Sequence, residues 1–141
     1  MKQIIFTLLM LLLAYNTKET EIERCFELPI NNNELLYSSL WAEARGIRYE
    51  EEIRVVLDCY RNRVNSNEWP STMDSVIQQS NQFAISKDTI SSQFKTLVDS
   101  LLTKPIKYPY TYFINFKKLK KKPKWIYKKE WIKLGKHHYA L

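Results

Sequence analysis

Glu43 is the residue whose type and position most invite chemistry. It follows Leu36 and Leu40 at i, i+4 and i+7 of a helical stripe that is otherwise apolar. A carboxylate on such a face is neutral, paired, or at the edge of a cleft, because an unpaired buried charge is costly. Partial burial favours the protonated form, which suits a general acid near neutral pH. The competing reading is a structural ion pair with Arg45, Arg61 or Arg63. Other chemistries have less support. The two histidines, His137 and His138, are adjacent, and the two cysteines, Cys25 and Cys59, are far apart, so no zinc-type ligand spacing exists. Cys59 falls inside a helical pattern rather than at a helix N-terminus, where thiolates are favoured, which argues against a cysteine nucleophile. Gly is scarce, at 2 residues, which argues against Gly-rich phosphate loops. No metal and no cofactor are expected.

The elements that must position Glu43 can be read from periodicity and punctuation. Asn32 or Asn33 can cap a first helix through residues 34–44. A second helix, from about Tyr49 to Val64, places Ile53, Val56, Leu57, Tyr60 and Val64 on one face. Pro70-Ser71 opens a short third helix near residues 72–79. A fourth spans about 88–102, with Phe94, Leu97, Val98 and Leu101 as its stripe. Pro105 and Pro109 end it and begin an extended segment. Residues 111–116 are rich in β-formers and read as a strand; residues 125–127 and 131–134 read as short strands. Helices first and short strands afterwards predict an α+β single domain.

The N-terminus and the charge distribution bound where such a domain works. Residues 1–15 begin with Lys2 and continue as an apolar run from Ile4 to Ala14. That run would rise about 16 Å as a helix, short of the roughly 30 Å hydrocarbon core, so it matches a signal peptide or a short membrane anchor. Residues 16–31 are polar and read as a linker, leaving 32–141 as the folded domain. The chain is therefore expected to be exported, where Cys25 and Cys59 could pair; a plain buried thiol at Cys59 fits the pattern at least as well. The formal net charge is +7 but lopsided: residues 1–103 sum to −4, and residues 104–141 hold 12 lysines against one acid, Glu130, for +11. Ten of those lysines lie within 117–136, interleaved with Trp125, Tyr127 and Trp131. This suggests a polyanionic partner, and the cation-plus-aromatic spacing also suits single-stranded nucleic acid.

Several ordered strings carry a family resemblance. Glu43-Ala44-Arg45-Gly46, then Asn62-Arg63-Val64, then Gln82-Phe83, Tyr112-Phe113-Ile114-Asn115, Pro123-Lys124-Trp125 and Gly135-Lys136-His137-His138-Tyr139 resemble, in order, the motifs of the SleB-type cell-wall hydrolases, the family of spore-cortex-lytic enzymes. The likeness covers roughly residues 35–140. The chain departs from the pattern at Ile47, where a second Glu is common, at Glu51, Arg54 and Val56, where small residues are usual, and at Ile114, where His is frequent.

The resemblance implies a lysozyme-like or lytic-transglycosylase-like fold and cleavage of peptidoglycan between N-acetylmuramic acid and N-acetylglucosamine. It implies Glu43 as general acid and base, and Gln82, Asn115, Trp125 and His137 as substrate-binding residues. Arg45, Gly46, Asn62, Arg63 and Gly135 are implied as structural support. A plain hydrolase normally needs a second carboxylate about 5–9.5 Å away. Glu50, Glu51, Glu52, Glu68 and Asp74 are candidates that spacing does not separate, so a lytic transglycosylase is favoured over muramidase-type hydrolysis. The alternatives are a glycan-binding protein without activity and a basic single-stranded nucleic-acid-binding protein. On the enzyme reading the partner is peptidoglycan, the lysines would attract anionic wall polymers or a membrane surface, no nucleic acid is expected, and the protein is expected to be a monomer.

Overall fold

The computed structural model describes residues 32–44, 50–80 and 82–141. The leader, the linker, Cys25, Arg45, Gly46 and Ile47 lie outside the described residues. Among the described residues four α-helices come first: α1 (Asn33–Ala44), α2 (Glu50–Val64), α3 (Met73–Ile77) and α4 (Ser92–Leu102). Three short strands follow: β1 (Tyr112–Ile114), β2 (Ile132–Leu134) and β3 (His137–Ala140). The architecture is α+β, as the order of patterns predicts.

Helix α2 is the hub. Ile53, Val55, Val56, Leu57, Cys59 and Tyr60 are all buried, so the helix is covered on nearly every side. Leu36 and Leu40 of α1, Met73 and Ile77 of α3, and Phe94, Val98 and Leu101 of α4 close around it. Each such aliphatic side chain, fully buried, contributes about 1.5–3 kcal/mol. Capping sets the helix starts. The Asn32 side chain accepts from Leu35 N at 3.2 Å, the Thr72 side chain accepts from Ser75 N, and the Ser91 side chain accepts from Phe94 N. Ser91 places the start of α4 at Ser92 rather than near residue 88, because the local cap outcompetes helical propensity further upstream.

The polar edge of α2 stitches down the chain that leads into the sheet. Arg54 donates to Pro105 O at 3.0 Å, and Arg61 donates to Lys104 O at 2.8 Å. Asp58 Oδ2 accepts from Lys107 N (2.9 Å) and Tyr108 N (3.1 Å). Asn62 Nδ2 donates to Tyr108 O (2.7 Å) and Tyr110 O (2.8 Å), and Arg63 Nε donates to Thr111 O at 2.7 Å. An extended segment with two prolines has no ladder partner of its own, and these side chains satisfy its backbone. Asp58 is fully buried, and desolvation raises its pKa despite those donors.

The sheet is antiparallel in the order β1-β3-β2. Phe113 faces Tyr139 across β1 and β3, and Leu134 faces His137 across β2 and β3. The central strand is the last one, His137–Ala140, which the sequence presents as a motif rather than as a strand. Residues 125–127, expected as a strand, instead form a 3-10 helix, Lys124–Lys128, entered from Pro123. Ile126 anchors it: its side chain is buried, and its carbonyl accepts from Trp131 Nε1 at 2.8 Å. Asn115 caps a second 3-10 turn, Phe116–Lys118, by accepting from Lys117 N at 3.1 Å.

Candidate active site

A cleft runs between the C-terminal end of α1, the segment 82–86 and the sheet. Its larger arm, about 620 Å³, is lined by Glu43, Arg63, Trp69, Gln82, Tyr112, Phe113, Ile114, Asn115, Lys118, Leu119, Pro123, Trp125, Lys129 and His137. A second arm, about 350 Å³, is lined by Ala42, Glu43, Ala84, Ile85, Ser86, Asn115, Lys118, Lys136 and His137. Both volumes lie within the range of about 300–1,000 Å³ usual for ligand sites. Glu43, Asn115, Lys118 and His137 line both arms, so they mark the junction.

Glu43 reaches the junction because it extends the Leu36–Leu40 stripe one turn beyond the core. Its Oε1 accepts from Ala84 N at 3.0 Å, while Ser86 N donates to Ser38 O at 3.2 Å. The segment 84–86 is thereby tied along α1, and Oε2 is the Glu43 oxygen left for the cleft. Among the described residues Glu43 forms no ion pair with Arg61 or Arg63: Arg61 bonds the 104 carbonyl and Asp58, and Arg63 turns to the aromatic wall. Arg45, the third candidate partner, lies outside the described residues.

That wall is built around Arg63. Its guanidinium lies 4.1 Å from the Trp69 ring centroid and 4.8 Å from that of Phe83, and Nη1 donates to Gln82 Oε1 at 3.3 Å. Burial lowers its pKa, yet a guanidinium stays protonated at any working pH. Tyr112 packs between Trp69 (5.6 Å) and Trp125 (5.9 Å), giving the larger arm a continuous aromatic side. Trp125 is 42% exposed and lines the larger arm. Lys129 Nζ sits 3.7 Å from the Tyr112 ring centroid.

His137 forms part of the cleft floor and is 4% exposed. Phe113 meets it edge-on at 5.4 Å. Behind it stands Glu52, 8% exposed, with Oε1 3.5 Å from His137 Nδ1 and accepting from Lys136 N at 2.8 Å. Desolvation lowers the His137 pKa and outweighs the opposing pull of Glu43 and Glu52. Gly135 makes the approach of Glu52 feasible: its φ is +58°, and a Cβ there would lie 2.3 Å from Glu52 Cδ.

The structure thus brings Glu43, Gln82, Asn115, Trp125 and His137 to one cleft. Asn115 spends its Oδ1 on the local cap and Gln82 its Oε1 on Arg63, so their amide nitrogens are the groups left for a ligand. Asn62 and Gly135 lie behind the walls, and Arg63 both braces and lines. Glu50 pairs with Lys104, and Glu51 with Lys107 and Tyr108, on the opposite side of α2. Neither they nor Glu68 nor Asp74 line the cleft. Sequence reasoning did not single out Trp69, Tyr112 or Lys118 for the site, and it left Glu52 undistinguished among three consecutive acids. The one signal for Tyr112 was its place in the Tyr-Phe-x-Asn string.

The profile of the cell wall hydrolase family matches residues 49–140, and the chain belongs to that family, a class of peptidoglycan-cleaving enzymes. The match begins after Glu43, so it says nothing of that residue. Among solved structures, the fold is similar to the catalytic domain of the germination-specific lytic transglycosylase SleB from Bacillus anthracis, with TM-score 0.63, 24% identity, and coverage of 80% of this chain and 98% of that one. It is also similar to the catalytic domain of the Bacillus cereus SleB protein, with TM-score 0.66, 24% identity, and coverage of 82% and 93%. At that identity the likeness establishes the fold, and with it the SleB-type α+β domain expected from the motifs. No curated protein matches the sequence.

Proposed function

We propose that this enzyme cleaves the β-1,4 bond between N-acetylmuramic acid and N-acetylglucosamine by lytic transglycosylation, with Glu43 as both acid and base. The observation that carries this reading is that Glu43 is the one carboxylate among the described residues lining the cleft, and it stands where the two arms meet. A glycan laid along both arms places a glycosidic oxygen beside Oε2. Glu43 Oε2–H gives its proton to that oxygen as the C1–O bond breaks. The resulting carboxylate then takes the proton of the sugar's own 6-hydroxyl while that oxygen bonds to C1, closing a 1,6-anhydro ring and restoring the acid. No second carboxylate and no water are consumed, in contrast to hydrolysis by a carboxylate pair.

Trp125 offers an apolar ring for a sugar, with Tyr112 packed against it as support, and the amides of Gln82 and Asn115 offer donors for its hydroxyls or acetamide. The lysines of 117–136 are read as attracting anionic wall polymer to the rim. Export through the N-terminal segment fits action on peptidoglycan, which lies outside the cytoplasm.

The test is product analysis. Purified peptidoglycan digested by the full chain yields 1,6-anhydromuropeptides by mass spectrometry, and Glu43→Gln abolishes them. Reducing-end products would replace the transglycosylase by a hydrolase. Full activity in Glu43→Gln would remove Glu43 from the chemistry.

A further inference from the structure

We propose that Glu52 is a positioning residue for the cleft: it holds the His137 imidazole with its proton on Nδ1, so that Nε2 meets the bound sugar as a hydrogen-bond acceptor beside Glu43. The inference rests on the reading of this cleft as the glycan site.

Three observations converge. Glu52 and His137 are both more than nine-tenths buried, which makes a solvated, incidental pairing untenable. The His137 Nδ1 atom is buried with no hydrogen-bond partner, and the acceptor closest to satisfying it is Glu52 Oε1 at 3.5 Å. Glu52 is itself held in place by Lys136 N and by the space left where Gly135 lacks a Cβ. A buried carboxylate costs folding energy unless it is hydrogen-bonded, so its retention at the first turn of α2, under the turn between β2 and β3, calls for a role that packing does not supply.

The chemistry follows from the ring. A neutral imidazole has one N–H. A carboxylate facing Nδ1 keeps the proton there and leaves the Nε2 lone pair for the cleft. The groups facing His137 are Glu52 from α2, Glu43 from α1, Lys118 from the 3-10 turn, Phe113 from β1 and Tyr139 from its own strand. Lys118 and burial disfavour the imidazolium while the two carboxylates favour it, and burial prevails, so the ring is neutral at pH 7. A neutral acceptor recognises a hydroxyl or an acetamide N–H of the sugar. The 3.5 Å contact shortens when the bound sugar completes the chain of donors, as catalytic hydrogen bonds commonly do.

The test uses the full chain with ¹⁵N-labelled histidine. The protein has two histidines, and His138→Gln assigns the spectrum, since His138 lies on the other face of β3 against Phe116. At pH 7 His137 is expected with a protonated Nδ1 and an unprotonated Nε2. Glu52→Gln, which keeps the volume, is expected to shift the ring toward the Nε2–H tautomer and to lower kcat/KM about ten- to hundredfold. In a His137→Gln background the same Glu52→Gln change is expected to cost little further, because Glu52 acts through the ring. A protonated Nε2 in the parent protein overturns the proposal whether or not any variant folds, and so does an equal loss from Glu52→Gln in both backgrounds. Failure of the glycan reading looks different: Glu43→Gln stays active while the tautomer result stands.

Discussion

Replacing Gly135 by Ala probes the geometry beneath the cleft. Two costs follow from the structure. A non-glycine residue at φ +58° costs roughly 1–2 kcal/mol. The new Cβ would also lie 2.3 Å from Cδ and Oε2 of Glu52, so that side chain must move. The moving group is the end of a flexible side chain, but it is buried and cannot retreat into solvent without giving up Lys136 N. Losing a hydrogen bond to a charged acceptor costs about 1.5–3 kcal/mol. The sum is about 2.5–5 kcal/mol, which for a domain of this size lowers Tm by roughly 10–20 °C. Differential scanning calorimetry measures it. Gly135→Asn separates the two costs, because Asn tolerates the left-handed backbone but brings the same Cβ; it is expected to recover up to about 1–2 kcal/mol of the Ala loss and to keep the rest. A Gly135→Ala protein that melts within about 3 °C of the parent would refute the reasoning, because both the strain and the collision would then be absorbed without loss.

Other expectations follow from the same structure. Asn62→Ala removes the donor to Tyr108 O and Tyr110 O and is expected to cost about 2–3 kcal/mol in urea unfolding, with activity falling as β1 loosens; an unchanged midpoint would count against the stitched segment. Burial pushes Cys59, Tyr60 and Tyr139 above their ordinary values of 9.0 and 10.0, so the unfolded chain loses those protons first. Their contribution is complete below about pH 9 and is lost as pH rises, so Tm is expected to decline steadily from pH 9 to 11, and a flat profile would contradict it. His137 acts in the opposite sense: its lowered pKa contributes stability that is present above 6.5 and lost as pH falls through the folded value. The exposed lysines of 117–136 predict retention on polyol-phosphate wall polymer at low salt and release by about 0.5 M NaCl, where screening is nearly complete over a few ångströms; salt-insensitive retention would argue for apolar contact through Tyr127 and Ile132 instead.

Much of this was legible before any fold. The stripes of α1, α2 and α4 were readable because a 3.6-residue period survives in the sequence wherever one face is buried, and Glu43 stood out because it broke such a stripe. The string motifs named the strands and loops that close the cleft. What was not legible depended on partners far along the chain. The last four-residue strand carries two histidines and too little alternation to signal itself, yet pairing on both edges makes it the centre of the sheet. Residues 125–127 have strand-like composition, but Pro123 and the burial of Ile126 turn them into a 3-10 helix. Nothing in Glu50-Glu51-Glu52 separates the three acids.

The sequence by itself determined the class of fold, the family and the isolated carboxylate, because those rest on periodicity, order and residue type. Only the tertiary structure decided which of the three consecutive acids stands behind the cleft against His137. Glu50 and Glu51 are drawn to lysines and a tyrosine of the stitched segment, while Glu52, one residue on, is turned inward and covered by a glycine turn 83 residues downstream of it in the chain. A helix advances about 100° per residue, so adjacent acids face different partners. Which partner waits on each side is set by long-range packing, and no local pattern records it.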